Sequence, residues 1–490
     1  MMRRAIIAIA LTVGLGVLLM LGCGGGSSSM SPTSNVSTGS VVALGTDAPL
    51  CNVFSVSVTI MGITLTPQNG GTPVSILGSG QSLTIDFLRL MEFNTMLNLA
   101  SVPVGLYSQM TLTLSNAQIT VLDVTQTPPQ PVSIPTTLQN ATVSINLDPA
   151  LTVNSNGTTS LLVDFHLFRS LLSLTTQATI DPVMTVARVS PSSEDGLGRL
   201  DDLHGIVQSV STTSTDPAFT GSFTLQTQGG TGPVLTVNTT SNTNFEDVSG
   251  LSGLAQGSFV EVDAAVDTSG HIVAKEVELE GTVQGQGKAA FEGIIIDVQR
   301  DTNGNATQFT LFVREEFPDV SASIPLRSAL TVDVGGSTNF LILRPGINEA
   351  NLTLGLTTLG VGQAIVARGS YTTGSPNGSL MADGVALHPQ AIRGAFQALL
   401  QPEGSDHKTG GFSLVPCSPI FKGMPIQVFT FGDTTFYGVS DLDGLSSMTP
   451  VHAKGLLFYG PASTTINGIA TAPQTLLMEA KTVRQRAMGD

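Results

Sequence analysis

Val53-Phe54-Ser55-Val56-Ser57-Val58-Thr59-Ile60 alternates without a break. Phe54, Val56, Val58 and Ile60 face one way, and Ser55, Ser57 and Thr59 face the other. That period of two marks a strand with one buried face. Met110-Thr111-Leu112-Thr113-Leu114 and Ile119-Thr120-Val121-Leu122 repeat it. The polar positions carry Thr, Ser, Asn and Gln where Lys and Glu would be usual, and the β-branched Thr suits a pleated surface. This accounts for a chain with only 11% charged residues, against about 25% in an ordinary globular protein. The longest helix the pattern offers is short, at residues 87–99, where Phe87, Leu90, Met91 and Leu97 share a face.

The 490 residues are 41% apolar, with 53 Gly, no Trp and a net charge of −16. A coiled coil needs more Glu and Lys. A disordered chain is less apolar and more charged. Single-strand nucleic-acid binders combine a basic groove with stacking aromatics, whereas this chain has 5% aromatics and a pI near 4.6. No nucleic-acid partner is expected.

At the N-terminus, Met1-Met2-Arg3-Arg4 precedes an uncharged run from Ala5 to Leu21, then Gly22-Cys23 and a Gly/Ser stretch. A basic start, an apolar core and small residues at the cut describe a signal peptide; an uncleaved membrane span is the alternative. Cleavage would remove Arg3 and Arg4 and take the charge from −16 to −18. Residues 24–38 read as a flexible tether. Cys51 and Cys417 then remain, free to pair in an oxidising compartment or to stay as two separate buried thiols.

A polar, turn-rich stretch at 188–202 separates an N-terminal domain at 39–187 from a weak internal repeat. The first unit runs His204-Gly205-Ile206-Val207, Phe223-Thr224-Leu225, Thr243-Asn244-Phe245, Gly257 to Val262, then Ala274-Lys275-Glu276-Val277. The second follows the same order: Glu292-Gly293-Ile294-Ile295, Phe309-Thr310-Leu311, Thr338-Asn339-Phe340, Gly362 to Val366, then Ala382-Asp383-Gly384-Val385. A worn third unit has Arg393-Gly394-Ala395-Phe396, Phe412-Ser413-Leu414, Thr434-Thr435-Phe436 and Ala480-Lys481-Thr482-Val483. Glycines that open strands suit the corners of small barrels, and room for one helical turn at 251–254 fits an OB-like barrel. The expected fold class is all-β: a signal segment at 1–22, a tether at 23–38, a β-sandwich at 39–187, a linker at 188–202, and two or three small OB-like barrels at 203–283, 289–389 and, degenerate, 390–487.

Three resemblances sharpen this. Met20-Leu21-Gly22-Cys23 resembles the lipobox of bacterial lipoproteins, with Met20 where Leu is usual. That resemblance implies cleavage before Cys23 and a diacylglycerol on its thiol. Gly24, where Asp would imply inner-membrane retention, suggests the outer membrane. Gly39 to Pro49, with its Thr46-Asp47-Ala48-Pro49, resembles the opening of domain of unknown function 4382. Thr84 to Leu88, Val102 to Tyr107 and Leu162-Val163-Asp164-Phe165-His166 extend the match, with His166 where an acid is more usual. The repeat units resemble domain of unknown function 5666, which often occurs in tandem in secreted bacterial proteins. Neither family implies an activity.

No nucleophile elbow, His-Glu-x-x-His helix, phosphate loop or Cys-x-x-Cys pair is present. The six His stand at 166, 204, 271, 388, 407 and 452, none at ligand spacing from another. Asp47, at a strand end, is a candidate cation ligand or the cap of an Asx-type turn. Asp164 and His166 share a strand face and are metal-ligand candidates or simply solvent-facing. Asp301-Thr302-Asn303-Gly304-Asn305 resembles the front of a calcium loop but lacks its twelfth-position Glu, so a hairpin turn is the better reading. Glu194, Asp195, Asp201, Asp202 and His204 form an acidic linker, either solvated or a loose Ca²⁺ site. Asp86 joins Asp47 and Asp164 as a carboxylate whose convergence would signal a cleft.

The expected function is a non-enzymatic, lipid-anchored envelope protein, exported and facing periplasm or surface. It would bind, scaffold or adhere, with the membrane and an envelope protein or polysaccharide as partners and no cofactor. The competing readings are an envelope-polymer hydrolase with its site at a domain interface and a Ca²⁺-dependent binder.

Overall fold

The computed structural model describes residues 37–485 except 48–49, 52, 78–79, 91–94, 156–157, 190–198, 228–233, 283–287, 318–326, 343–351, 375–376 and 448. Cys23 and the signal segment lie outside the described residues, as do Glu194 and Asp195.

The chain is all-β. In the N-terminal domain a four-stranded sheet runs Met184–Val189, Thr158–Phe165, Thr38–Asp47, Thr95–Pro103. Its Thr38–Asp47 strand is held on both sides, parallel to Thr158–Phe165 and antiparallel to Thr95–Pro103. A second sheet is built on Ser55–Pro67 and the 19-residue strand Gly105–Asp123. Val41 and Ala43 from one sheet meet Val56, Val58, Ile60 and Leu112 from the other, forming the sandwich core. The period-two reading of residues 53–60 holds for the apolar face, but Ser55, Ser57 and Thr59 are buried too. The helix expected at 87–99 is a 3-10 turn at Phe87–Leu90 followed by the strand Thr95–Pro103. Pairing decides this: Met96 and Leu99 face Leu44 and Val42 across the ladder, and those bonds outweigh the local pattern.

Three barrels of one topology follow. The first is Arg199–Ser211, Gly221–Thr227, Val234–Thr239, Ser258–Val266 and Ile272–Thr282, closed by a parallel pairing of its third and fifth strands. The second uses Lys288–Arg300, Ala306–Phe317, Ala329–Asp333, Ala364–Thr372 and Ser379–Leu387. The third uses Gln390–Leu400, Gly410–Pro416, Ile426–Thr430, Pro450–Gly460 and Thr475–Gln485. A three-stranded meander closed by a parallel third–fifth pair is the OB arrangement.

The recurring residues have recurring tasks. Thr243, Thr338 and Thr434 each donate a hydroxyl hydrogen bond to a carbonyl of the fifth strand, Ala274 at 2.8 Å, Ala382 at 3.0 Å and Ala480 at 2.8 Å. Gly205, Gly293 and Gly394 lie against the neighbouring strand so closely that a Cβ would collide with the carbonyl oxygens of Gln226, Phe312 and Val415. The worn third unit thus keeps both devices.

The modules are joined by continuous cores. Val42, Leu44 and Leu162 of the sandwich pack with Val207, Phe223 and Val260 of the first barrel. Phe54 and Leu122 enter a core with Phe312 and Phe412 of the second and third barrels. Phe259, Phe317 and Val366 seal the seam between barrels one and two. Ser37–Asp490 is one compact unit.

Candidate functional site

Arg199–Ser211 begins inside the stretch expected to be linker. It carries His204, which the sequence offered both as the end of an acidic linker and as the opening of the first repeat unit, into the protein interior, where its side chain is 0% exposed. The reason is register. His204 pairs with Glu261 on Ser258–Val266, so the two side chains share a face. Phe259 pairs with Gly281 and Val260 with Leu279, leaving Glu280 as the extra residue of a bulge. Bulges re-aim side chains, and Glu280 joins His204 and Glu261 on the face of the first barrel that meets the second. From the second barrel, Glu292 precedes Gly293 on Lys288–Arg300, and His388 follows Ser379–Leu387 with its N–H bonded to the Ala364 carbonyl at 2.9 Å.

These residues converge at the seam. His204 Nε2 lies 3.2 Å from Glu280 Oε1 and 3.8 Å from Glu261 Oε2. His388 Nδ1 is 3.6 Å from Glu261 Oε2, and His388 Nε2 is 3.9 Å from Glu280 Oε2. Glu292 Oε2 stands 3.6 Å from His204 Nδ1, on the other side of that ring. The Glu280 side chain is 2% exposed, and neither of its carboxylate oxygens has a hydrogen-bond partner among the described residues. Buried carboxylates without hydrogen bonds are costly unless a cation or proton compensates them. His204, Glu261, Glu280 and His388 each offer a donor atom, all within 4.8 Å of one another, close enough to hold a metal ion between them.

A cleft of about 120 Å³ opens beside this group where the sandwich and barrels two and three meet. Phe54, Ile294 and Phe421 wall it, Arg314 and Arg393 line it, and Glu292 and His388 connect it to the buried group. Cys417 lies at its edge and is disulfide-bonded to Cys51, with Cα atoms 5.2 Å apart. Of the two arrangements the sequence left open for these cysteines, the bridge is the one formed.

Of the residues singled out by sequence, His204 belongs to this group, and Asp86, Asp164 and His166 do not. Asp47 ends its strand opposite Phe165, and Asp164 sits opposite Thr46. Asp164 and His166 approach to 3.6 Å, and His166 Nε2 is 3.0 Å from the Thr185 hydroxyl. Asp86 accepts from the backbone N–H groups of Val56 and Leu88 at 3.1 and 3.2 Å, and its Oδ2 lies 4.0 Å from Nε of Arg314, which lines the cleft. None of Asp86, Asp164 and His166 enters a group of three donors among the described residues. Asp301 accepts from the N–H groups of Asn303 and Asn305, both at 2.9 Å, forming the hairpin turn expected there.

Among the described residues there are two other donor groups. Glu403, His407 and Asp443 form an exposed one, with His407 Nδ1 3.1 Å from Glu403 and 2.9 Å from Asp443. Glu246, Glu276 and Glu278 form another on the first barrel. There burial, then the neighbouring carboxylates, pushes Glu278 up to about 9 and Glu276 up to about 7.

The repeat contained the missing signal. His204 and Glu292 both stand immediately before the strand-opening glycine, and Glu280 and His388 both stand three residues after the Val277 and Val385 of the fifth strands. Aligned, the two barrels offer His and Glu against Glu and His.

Two family models match parts of the chain and agree with its division into an N-terminal domain and a following module. Residues 38–180 match the family model Domain of unknown function (DUF4382). Residues 204–278 match Domain of unknown function (DUF5666). No curated protein matches the chain. Among solved structures, one titled "drosophila Unr CSD456" is similar at 10% identity, over 59% of this chain and 98% of that one, with a TM-score of 0.13.

Proposed function

We propose that this is a lipid-anchored protein of the cell envelope, exported and held to the outer membrane through Cys23, acting as a non-enzymatic binding or scaffolding module for an envelope protein or polysaccharide. The observation that carries the export reading is the Cys51–Cys417 disulfide, which ties positions 366 residues apart. Such bridges persist in oxidising compartments and are rare in the cytosol of mesophiles. The basic, apolar and Gly-Cys order of residues 1–23 supports the same destination. The Thr38–Asp47 strand just after the tether is paired on both sides, so a pull from the anchor would be taken up by a sheet centre.

Cys23→Ala tests the anchor. The expected result is loss of palmitate labelling and release of the chain from the membrane fraction. Unchanged migration and membrane association overturn it. The hydrolase reading has one observation of its own, the cleft lined by Glu292 and His388. Turnover of an envelope polymer that is abolished in Glu292→Gln, with the fold retained, would replace the non-enzymatic reading.

A further inference from the structure

We propose that the first and second barrels share one zinc ion. Its ligands are His204 through Nε2, one carboxylate oxygen each from Glu261 and Glu280, and a ring nitrogen of His388. This goes beyond the envelope reading and does not depend on where the chain is anchored.

The donor set chooses the metal. Two imidazole nitrogens and two carboxylate oxygens suit zinc, which takes His and Asp/Glu in four-coordinate sites. Calcium takes six to eight oxygens, and magnesium keeps water and octahedral geometry, so neither fits a buried group half made of histidine. Spacing agrees. Ligands about 2.0–2.1 Å from a tetrahedral zinc stand about 3.3 Å from each other. The ligand pairs here lie at 3.2 Å for His204–Glu280, 3.6 Å for His388–Glu261 and 3.8 Å for His204–Glu261. Small side-chain rotations close the remainder.

Charge and surroundings point the same way. A dication offsets the Glu261 and Glu280 carboxylates while both histidines stay neutral. The nearby Arg368 guanidinium does not serve Glu280's carboxylate: it donates to the Glu280 carbonyl at 2.6 Å and to Asp383 at 2.9 Å. Glu292 Oε2 stands 3.6 Å from His204 Nδ1, the side on which a carboxylate orients a metal-binding histidine, and leaves Nε2 for the metal. Phe259 lies against the His204 ring with centroids 6.1 Å apart and keeps that side apolar. His388 and Glu292 at the cleft wall give the ion its way in.

The test uses the full chain, purified, stripped with a chelator and dialysed, then titrated separately with Zn²⁺ and Ca²⁺. One zinc per chain and a zinc-dependent rise in Tm are expected, with no comparable rise from calcium. Glu280→Gln and His388→Asn should each weaken zinc binding by about 10–100-fold or more. Metal-free Glu280→Gln should fold and melt no lower than metal-free wild type, since it removes a buried charge without changing shape. Glu403→Gln, in the exposed group, should leave one zinc bound. No stoichiometric zinc in the wild type, wild-type affinity in both ligand variants, or a shift with calcium alone would overturn the proposal.

Discussion

Glu280, near the end of one fifth strand, and His388, just after the next, occupy the same position of the repeat and meet with His388 Nε2 3.9 Å from Glu280 Oε2. Equivalent positions in tandem modules usually face separate surroundings. Here the bulge at Glu280 and the short link His388-Pro389 into the third barrel turn both toward one seam. The same seam holds a separate apolar cluster of Phe259, Ala290, Phe317 and Val366.

Gly281 follows Glu280 with φ +145°, and a Cβ there would fall on the Arg368 guanidinium. Gly281→Ala should therefore strain the backbone and displace Arg368 from the Glu280 carbonyl, destabilising the protein by about 1–3 kcal/mol. Arg368→Ala in the same chain should recover part of the loss, read as the midpoint of denaturant unfolding.

Phe312 is fully buried and meets Phe54 edge-on, ring centroids 4.7 Å apart, where the sandwich packs on the barrels. Phe312→Ala should cost about 3–5 kcal/mol and lower the Tm. Phe312→Leu should lose much less, because most of the volume stays.

The Cys51–Cys417 bridge closes a span of 366 residues. Cross-links over long loops restrict the unfolded chain most, and removing one costs about 2–5 kcal/mol. The double variant Cys51→Ser/Cys417→Ser should melt lower than wild type under non-reducing conditions and match it once wild type is reduced. Equal melting before reduction would count against a bridge in solution.

Glu276 is pushed from 4.5 up to about 7, first by burial and then by Glu246 and Asp263. The folded protein therefore keeps a proton that the unfolded chain has released, and stability falls as pH rises across that window. Glu276→Gln should raise the Tm at pH 8 and leave it nearly unchanged at pH 4. An equal effect at both values would contradict this assignment.

The sequence by itself determined the local structure and the repeat. Alternation at residues 53–60 and the recurring strand-opening Gly, Phe-x-Leu and Thr-x-Phe elements follow from short-range rules: a strand has two faces, and a barrel needs glycine where backbones touch and a hydroxyl to tie the fifth strand. Those rules reached even the worn third unit, where Thr434 still bonds Ala480. They misread residues 87–99, because strand pairing with Val42 and Leu44 outweighs a helical spacing of four apolar residues. His204 read both as the end of an acidic linker and as the start of the first repeat unit: Asp201 and Asp202 beside it suggest solvent, and only pairing with Glu261 carries the imidazole inside. What the tertiary structure alone decided is which residues meet. The Cys51–Cys417 bridge and the convergence of His204, Glu261, Glu280 and His388 join positions scores to hundreds of residues apart, through strand register, one bulge and the packing of two barrels. Register and packing are set by the summed burial of whole faces, and no spacing along the chain encodes that sum.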